Sequence, residues 1–145
     1  MDLTKKILND LRVELSDEFD RNFQRKAFFD RPWPPRKMKG KGSLLMQTGK
    51  LRRSIRSRVG ADSVVWETSE PYAAIHNYGG IVYVRPHHRT IHRNGKAIRQ
   101  QVKGYSYKMP RRQFLGDHEK VRKSARRIIE KNVKESMGSI LKKLK

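Results

Sequence analysis

Histidines offer the first chemistry to weigh in this chain. His87, His88 and His92 suggest a metal site by residue type alone. They fall on a β-rich arm, where the i, i+4 spacing that brings two imidazoles together on a helix does not apply. No carboxylate or cysteine accompanies them there. His76 invites a general-base reading, yet no carboxylate nearby would orient it, and Ser54 lacks the glycine-flanked turn of an exposed nucleophile. His76 reads instead as a packed, hydrogen-bonded group. Paired carboxylates and a phosphate-cradling loop are missing as well. No catalytic, cofactor-binding or metal-ligating residue is assigned.

Charge carries more information. The 145 residues include 35 Lys and Arg against 14 Asp and Glu, a formal net charge of +21. Met1 to Asp20 holds six acids and three bases, Arg31 to Gly60 ten bases and no acid, and nine bases lie between Glu70 and Asp117 with no acid. A surface of this kind repels its own copies unless something anionic lies close. Nucleic-acid phosphates, an acidic partner, or the acidic N-terminal segment of a neighbouring copy would serve. Cysteine is absent, so disulfides and thiolate chemistry are excluded. No apolar run reaches membrane-spanning length, and the N-terminus lacks a signal peptide's apolar core, so a cytoplasm-like milieu without membrane contact is expected.

The elements that position these residues follow from periodicity. Leu3, Ile7, Leu11, Leu15, Phe19 and Phe23 recur every fourth residue and predict a helix over about 2–27. That row drifts round the cylinder, so its far end, Phe19 and Phe23, is expected to face something beyond the domain's own sheet, with an ordinary core helix as the alternative. Three prolines in 29–42 predict a semi-rigid strap pinned by Trp33. The core is expected over 44–80. Thr48 is a candidate N-cap for a short helix through Leu51 and Ile55, Arg56–Val59 and Ser63–Thr68 predict a hairpin, and a second short helix runs from Pro71 to a terminating Gly79. An arm follows over 81–108, with Asn94-Gly95 as a type I′ hairpin turn and a polar tip of Arg93, Asn94, Gly95 and Lys96. Asp117 is the expected N-cap of a last helix over about 117–144, whose apolar stripe runs from Val121 to Leu144. The sum is one α+β domain over 1–145. A small antiparallel sheet, drawn from Ile55 to Thr68 and Ile81 to Tyr107, carries a long projecting β-hairpin and is packed by the long N- and C-terminal helices.

Three blocks, LLMQTGKLRRSI, PYAAIHNYGG and MPRRQFLG, occur in that order. Together they resemble the phage virion morphogenesis family, the tail-completion proteins of tailed phages and prophages, across roughly Phe28 to Val133. The resemblance picks out Thr48, Gly49, Leu51, Arg52 and Ser54, then Tyr72, His76, Gly79 and Gly80, then Pro110, Arg112, Phe114 and Leu115. It implies that they build the fold and the contacts between copies.

What the resemblance implies is a non-enzymatic structural or assembly protein. Tail completion or head–tail joining at the neck is expected, with several copies forming a ring. Its partners would be further copies of itself and other tail or neck proteins, with DNA passing through a lumen, and its place the virion, reached from the host cytoplasm. The competing reading, carried by charge alone, is a basic protein that contacts DNA phosphates without sequence preference.

Overall fold

A computed structural model describes residues 2–37, 45–46 and 48–145. The chain is a mixed α+β protein. Its first element, α1 (Leu3–Arg25), is capped by Asp2, whose side chain accepts the Thr4 N–H at 3.3 Å. It stops earlier than its apolar row predicts because Lys26 turns left-handed (φ 55°) and returns its N–H to the Asn22 carbonyl. Ala27–Phe28 (β1) then pairs antiparallel with Arg31–Pro32 (β2), and Trp33 N–H donates to the Lys26 carbonyl at 2.8 Å. The start of the strap is thus folded onto the end of α1. Residues 38–42 of the strap, and Leu44, lie outside the described residues.

Helix α2 (Lys50–Ser54) leads into a hairpin of β3 (Arg56–Val59) and β4 (Val64–Glu67). Helix α3 (Ala73–Tyr78) starts two residues after Pro71. Strand β5 (Gly80–Val84) pairs with β8 (Tyr105–Met109), and β6 (His87–Arg93) with β7 (Lys96–Val102). Helix α4 (Glu119–Lys143) closes the chain.

Among the described residues the single sheet expected from sequence is four separate two-stranded antiparallel ribbons. The last two are one hairpin in constant register, since Gly80 faces Met109, Val84 faces Tyr105, His87 faces Val102 and Arg93 faces Lys96. Pairing lapses only around Pro86, which has no N–H to give a ladder. From Gly80 to Asn94 the arm spans about 45 Å at the rise of an extended strand. Asn94 and Gly95 both have positive φ, 51° and 74°, as a type I′ turn requires. Almost every residue of β6 and β7 is exposed.

The core lies under α1. One cluster joins Phe23, Trp33, Leu51, Ala73 and Phe114, the other Leu15, Phe19, Phe28 and Phe29. Phe19 and Phe23 are therefore interior residues, as in the ordinary core-helix alternative. Both α4 and the β3–β4 hairpin pack on α1, so the drift of the apolar row lets successive turns meet different elements of the same domain. Trp66 of β4 stands edge-on to Phe19 and donates its indole N–H to Ser16 at 2.8 Å. The stripe on α4 is covered only in part. Ile128 and Asn132 are buried, whereas Ile129, Met137, Ile140, Leu141 and Leu144 are exposed. No described helix is long and apolar enough to cross a membrane.

Candidate functional site

The three sequence blocks converge on one another. Block two runs along α3, and block three crosses it as an extended segment. The carbonyl of His76 accepts the Arg112 N–H at 2.8 Å. The side-chain oxygen of Asn77 accepts the N–H groups of both Phe114 (2.9 Å) and Leu115 (3.1 Å). From the other side the Asn22 amide donates to the Phe114 carbonyl at 3.2 Å. Phe114 is thereby fixed at both ends of its backbone while its ring fills the core beside Phe23. Gly79 makes the crossing possible. Its φ is 71°, and a Cβ there would stand 3.0 Å from the Arg111 nitrogen and 3.1 Å from the Met109 carbonyl oxygen.

Block one joins through α2. Leu51 is buried in the same cluster as Ala73 and Phe114. Ser54 Oγ lies 2.6 Å from the Thr68 hydroxyl and donates to the Leu51 carbonyl. Arg52 points the other way and holds Asp20 of α1 through Nε and a terminal nitrogen. Gly49, not Thr48, occupies the N-cap position. Thr48 still serves the helix start, since its hydroxyl accepts the Lys50 N–H at 3.3 Å.

Between the blocks lies a groove of about 450 Å³, lined by Thr48 and Leu51 from block one, Tyr72 and His76 from block two and Met109 and Arg112 from block three, with Arg36, Leu45 and Lys50 beside them. None of these residues is acidic. The Arg112 guanidinium is mostly buried and donates to the carbonyls of Pro34 and Pro35, at 2.9 and 3.2 Å. Prolines cannot donate, but their carbonyls can accept, and Arg112 uses this to fasten the strap to block three. His76 stands edge-on to Tyr72. Burial, and then the charge of Arg112, push the imidazole below its ordinary pKa of 6.5. Its Nδ1 is buried without a hydrogen-bond partner among the described residues. Among the described residues the expected hydrogen bond is not made at Nδ1, and packing against Tyr72 accompanies the ring instead.

Of the thirteen motif residues, Thr48, Leu51, Tyr72, His76 and Arg112 share the groove. Gly49, Arg52, Ser54, Gly79, Gly80, Pro110, Phe114 and Leu115 build the frame around it. The tip residues Arg93, Asn94, Gly95 and Lys96 stand at the far end of the arm, exposed. Among the described residues no cluster of three or more His, Cys, Asp or Glu could hold a metal ion.

Several structural residues escaped the sequence reading. Asn22 is wholly buried, and besides its bond to Phe114 its oxygen accepts the Phe29 N–H at 3.0 Å. His118, not Asp117, caps α4. Its Nδ1 accepts the Lys120 N–H at 3.0 Å, its Nε2 lies 2.8 Å from Asp30, and its ring stacks on Phe29. Asp117 instead pairs with Arg122. A low helix propensity at Asn22 and Asn77 is the one sequence signal that could have marked the buried amides.

No curated protein and no solved structure is detectably similar to the chain. The model of the phage virion morphogenesis family matches residues 1–134 of the 145. That span takes in all three blocks, the arm and most of α4, and with it the chain belongs to the phage virion morphogenesis family.

Proposed function

We propose that this protein is a non-enzymatic component that completes the phage tail or joins it to the head, acting in several copies around the tail axis. Family membership gives the coarser part, a role in assembling the phage particle. The observation that carries the finer part is the arm. A hairpin about 45 Å long, exposed on both faces, buries almost nothing of its own domain. Such an element is explained by contacts made elsewhere. Its root also exposes Ile81, Tyr83, Tyr105 and Tyr107, and aromatic side chains of this kind are enriched in protein interfaces.

The test is a phage or inducible prophage from which the gene is removed. Separate heads and tails under the electron microscope, restored to joined particles by the gene in trans, are the expected result. Normal infectious particles without it would refute the role.

One observation favours DNA contact as a second reading. The arm carries seven bases and no acid from Arg85 to Lys108. Sequence-independent DNA binding that collapses between 50 and 200 mM salt fits phosphate contact of this sort. A sequence-selective complex surviving that salt would put nucleic-acid recognition first.

A further inference from the structure

A second groove, of about 680 Å³, opens beside the N-terminal end of α4. Its floor is apolar, with Phe19, Trp66, Leu115 and Val121 among its residues. Its rim includes Glu67 and Asp117, both more than half exposed. No base lines it. On a chain of net charge +21 a groove with acids and no described base in its lining is a place where a basic segment meets reduced repulsion.

The opposite end of α4 presents a matching surface. Ile140, Leu141 and Leu144 are 56%, 60% and 77% exposed, with Lys142, Lys143 and Lys145 interleaved. Two such tails do not pair with each other, because α4 carries nine bases against three acids and like helices repel. Nor can the tail enter the groove of its own chain. Asp117 and Val121 stand at the start of α4, and Ile140 to Leu144 lie about 30 Å further along at 1.5 Å per residue. The β6–β7 ribbon is a poorer occupant, since its apolar anchors are Ile91, Ala97, Ile98 and Val102, spread along its length.

We propose that the C-terminal turns of α4 seat in the Phe19–Trp66–Val121 groove of a second copy, with their lysines against Glu67 and Asp117. The inference rests on the multi-copy reading above and names one contact that would build it. The contact is head-to-tail, the kind that closes into a ring when the rotation between copies divides the circle. Glu67 and Asp117 already face Arg58 and Arg122, but these are exposed pairs of small worth and exchange partners at little cost. The tail lies beyond the residues matched by the family model, so the contact concerns this chain's own sequence.

The absence of cysteine makes the test direct. Ala74→Cys places a thiol at the groove and Leu144→Cys one on the tail, both at exposed positions where folding is not at stake. Mixed and oxidised in a glutathione buffer, the two variants should form a disulfide heterodimer in at least severalfold excess over either homodimer. Ile140→Lys with Leu144→Lys should abolish that adduct and reduce self-association in sedimentation velocity. Heterodimer no more abundant than homodimer, with wild-type self-association intact, overturns the tail–groove contact and leaves the multi-copy reading standing, with another protein in the groove. A wild type monomeric at every concentration, with no heterodimer, overturns both. A chain carrying both thiols that closes on itself as a monomer would show that the tail reaches its own groove, and overturns the second-copy occupant.

Discussion

Arg52 of α2 grips Asp20 of α1 with two bonds, Nε to one carboxylate oxygen at 2.6 Å and a terminal nitrogen to the other at 2.7 Å. The Arg52 hydrogen bond, more than its bare charge, holds the Asp20 carboxyl below its ordinary pKa of 3.8. This fork explains why an arginine stands at this point of the first block. Lysine keeps the charge but offers one point of contact in place of two. Since Asp20 is 46% exposed, solvent screens the pair. A double-mutant cycle with Arg52→Ala and Asp20→Ala is expected to give a coupling of about 1 kcal/mol, and Arg52→Lys should recover less than half of it. Because the folded pKa is depressed, this stabilisation is present above the unfolded value and fades as pH falls through the folded one. A coupling indistinguishable from zero at pH 7 would mean the fork is incidental.

Asn77 supports block three through a single oxygen that takes two buried or half-buried N–H groups. Asn77→Ala leaves both donors without a partner, so chemical denaturation should show a loss of about 2–4 kcal/mol. Asn22→Ala should cost a similar amount for the same reason, since three groups lean on its amide. Losses below about 0.5 kcal/mol would indicate that water replaces these bonds and that the asparagines do not hold the crossing.

These asparagines also mark where sequence reasoning stops. Apolar spacing exposes a helix because its residues repeat, and Asn94-Gly95 exposes a turn because only a few residue types accept positive φ. Both are local signals, and both elements stand where they were expected. A buried amide bonding a segment 92 residues away leaves no periodic trace, and beyond a low helix propensity nothing around Asn22 distinguishes it from a solvent-facing polar residue. The same holds for His118, whose capping role depends on a ring stacked on Phe29. The single expected sheet failed for a related reason. Strand character can be read residue by residue, but whether two ribbons join side to side depends on what lies between them. The order of the three blocks carried the family resemblance but not their convergence on one groove, and the second groove, built from α1, β4, α3 and the start of α4, had no signature in the chain either.

The imidazole of His76 gives a pH test. Its pKa lies below the ordinary 6.5, through burial first and the charge of Arg112 second. Between 6.5 and the lower folded value the unfolded chain binds a proton that the folded chain does not, so stability must fall as pH drops through that window. Tyr72, Lys50, Arg36 and Arg112 line the groove with it, and none is an acid that would favour the protonated ring. Thermal melts from about pH 7.5 downwards should show Tm declining towards acid, and His76→Gln should flatten the portion that begins below the ordinary 6.5. An unchanged slope in the variant would assign the acid sensitivity to other groups.

The arm supplies the most demanding test. Arg89 faces Gln100, and their side chains are hydrogen-bonded at 3.0 Å. That pair lies four residues inward from Arg93–Lys96, which flanks the natural turn, so it has the same place in the alternating ladder of an antiparallel hairpin. Replacing 90–99 with Asn-Gly therefore gives a shorter hairpin with the same turn geometry. The removed residues are mostly exposed, and the apolar pair among them, Ile91 and Ile98, packs across the arm itself. Little apolar burial is lost with them, so Tm should move by less than about 3 °C. Particle completion should nonetheless fail, leaving heads and tails unjoined, because the contacts proposed for this segment outside its own domain would be gone. Unfolding of the shortened protein would place the arm in the core. Infectious particles at wild-type yield would show that the outer arm is dispensable for assembly, and the role would then fall to the grooves and the α4 tail.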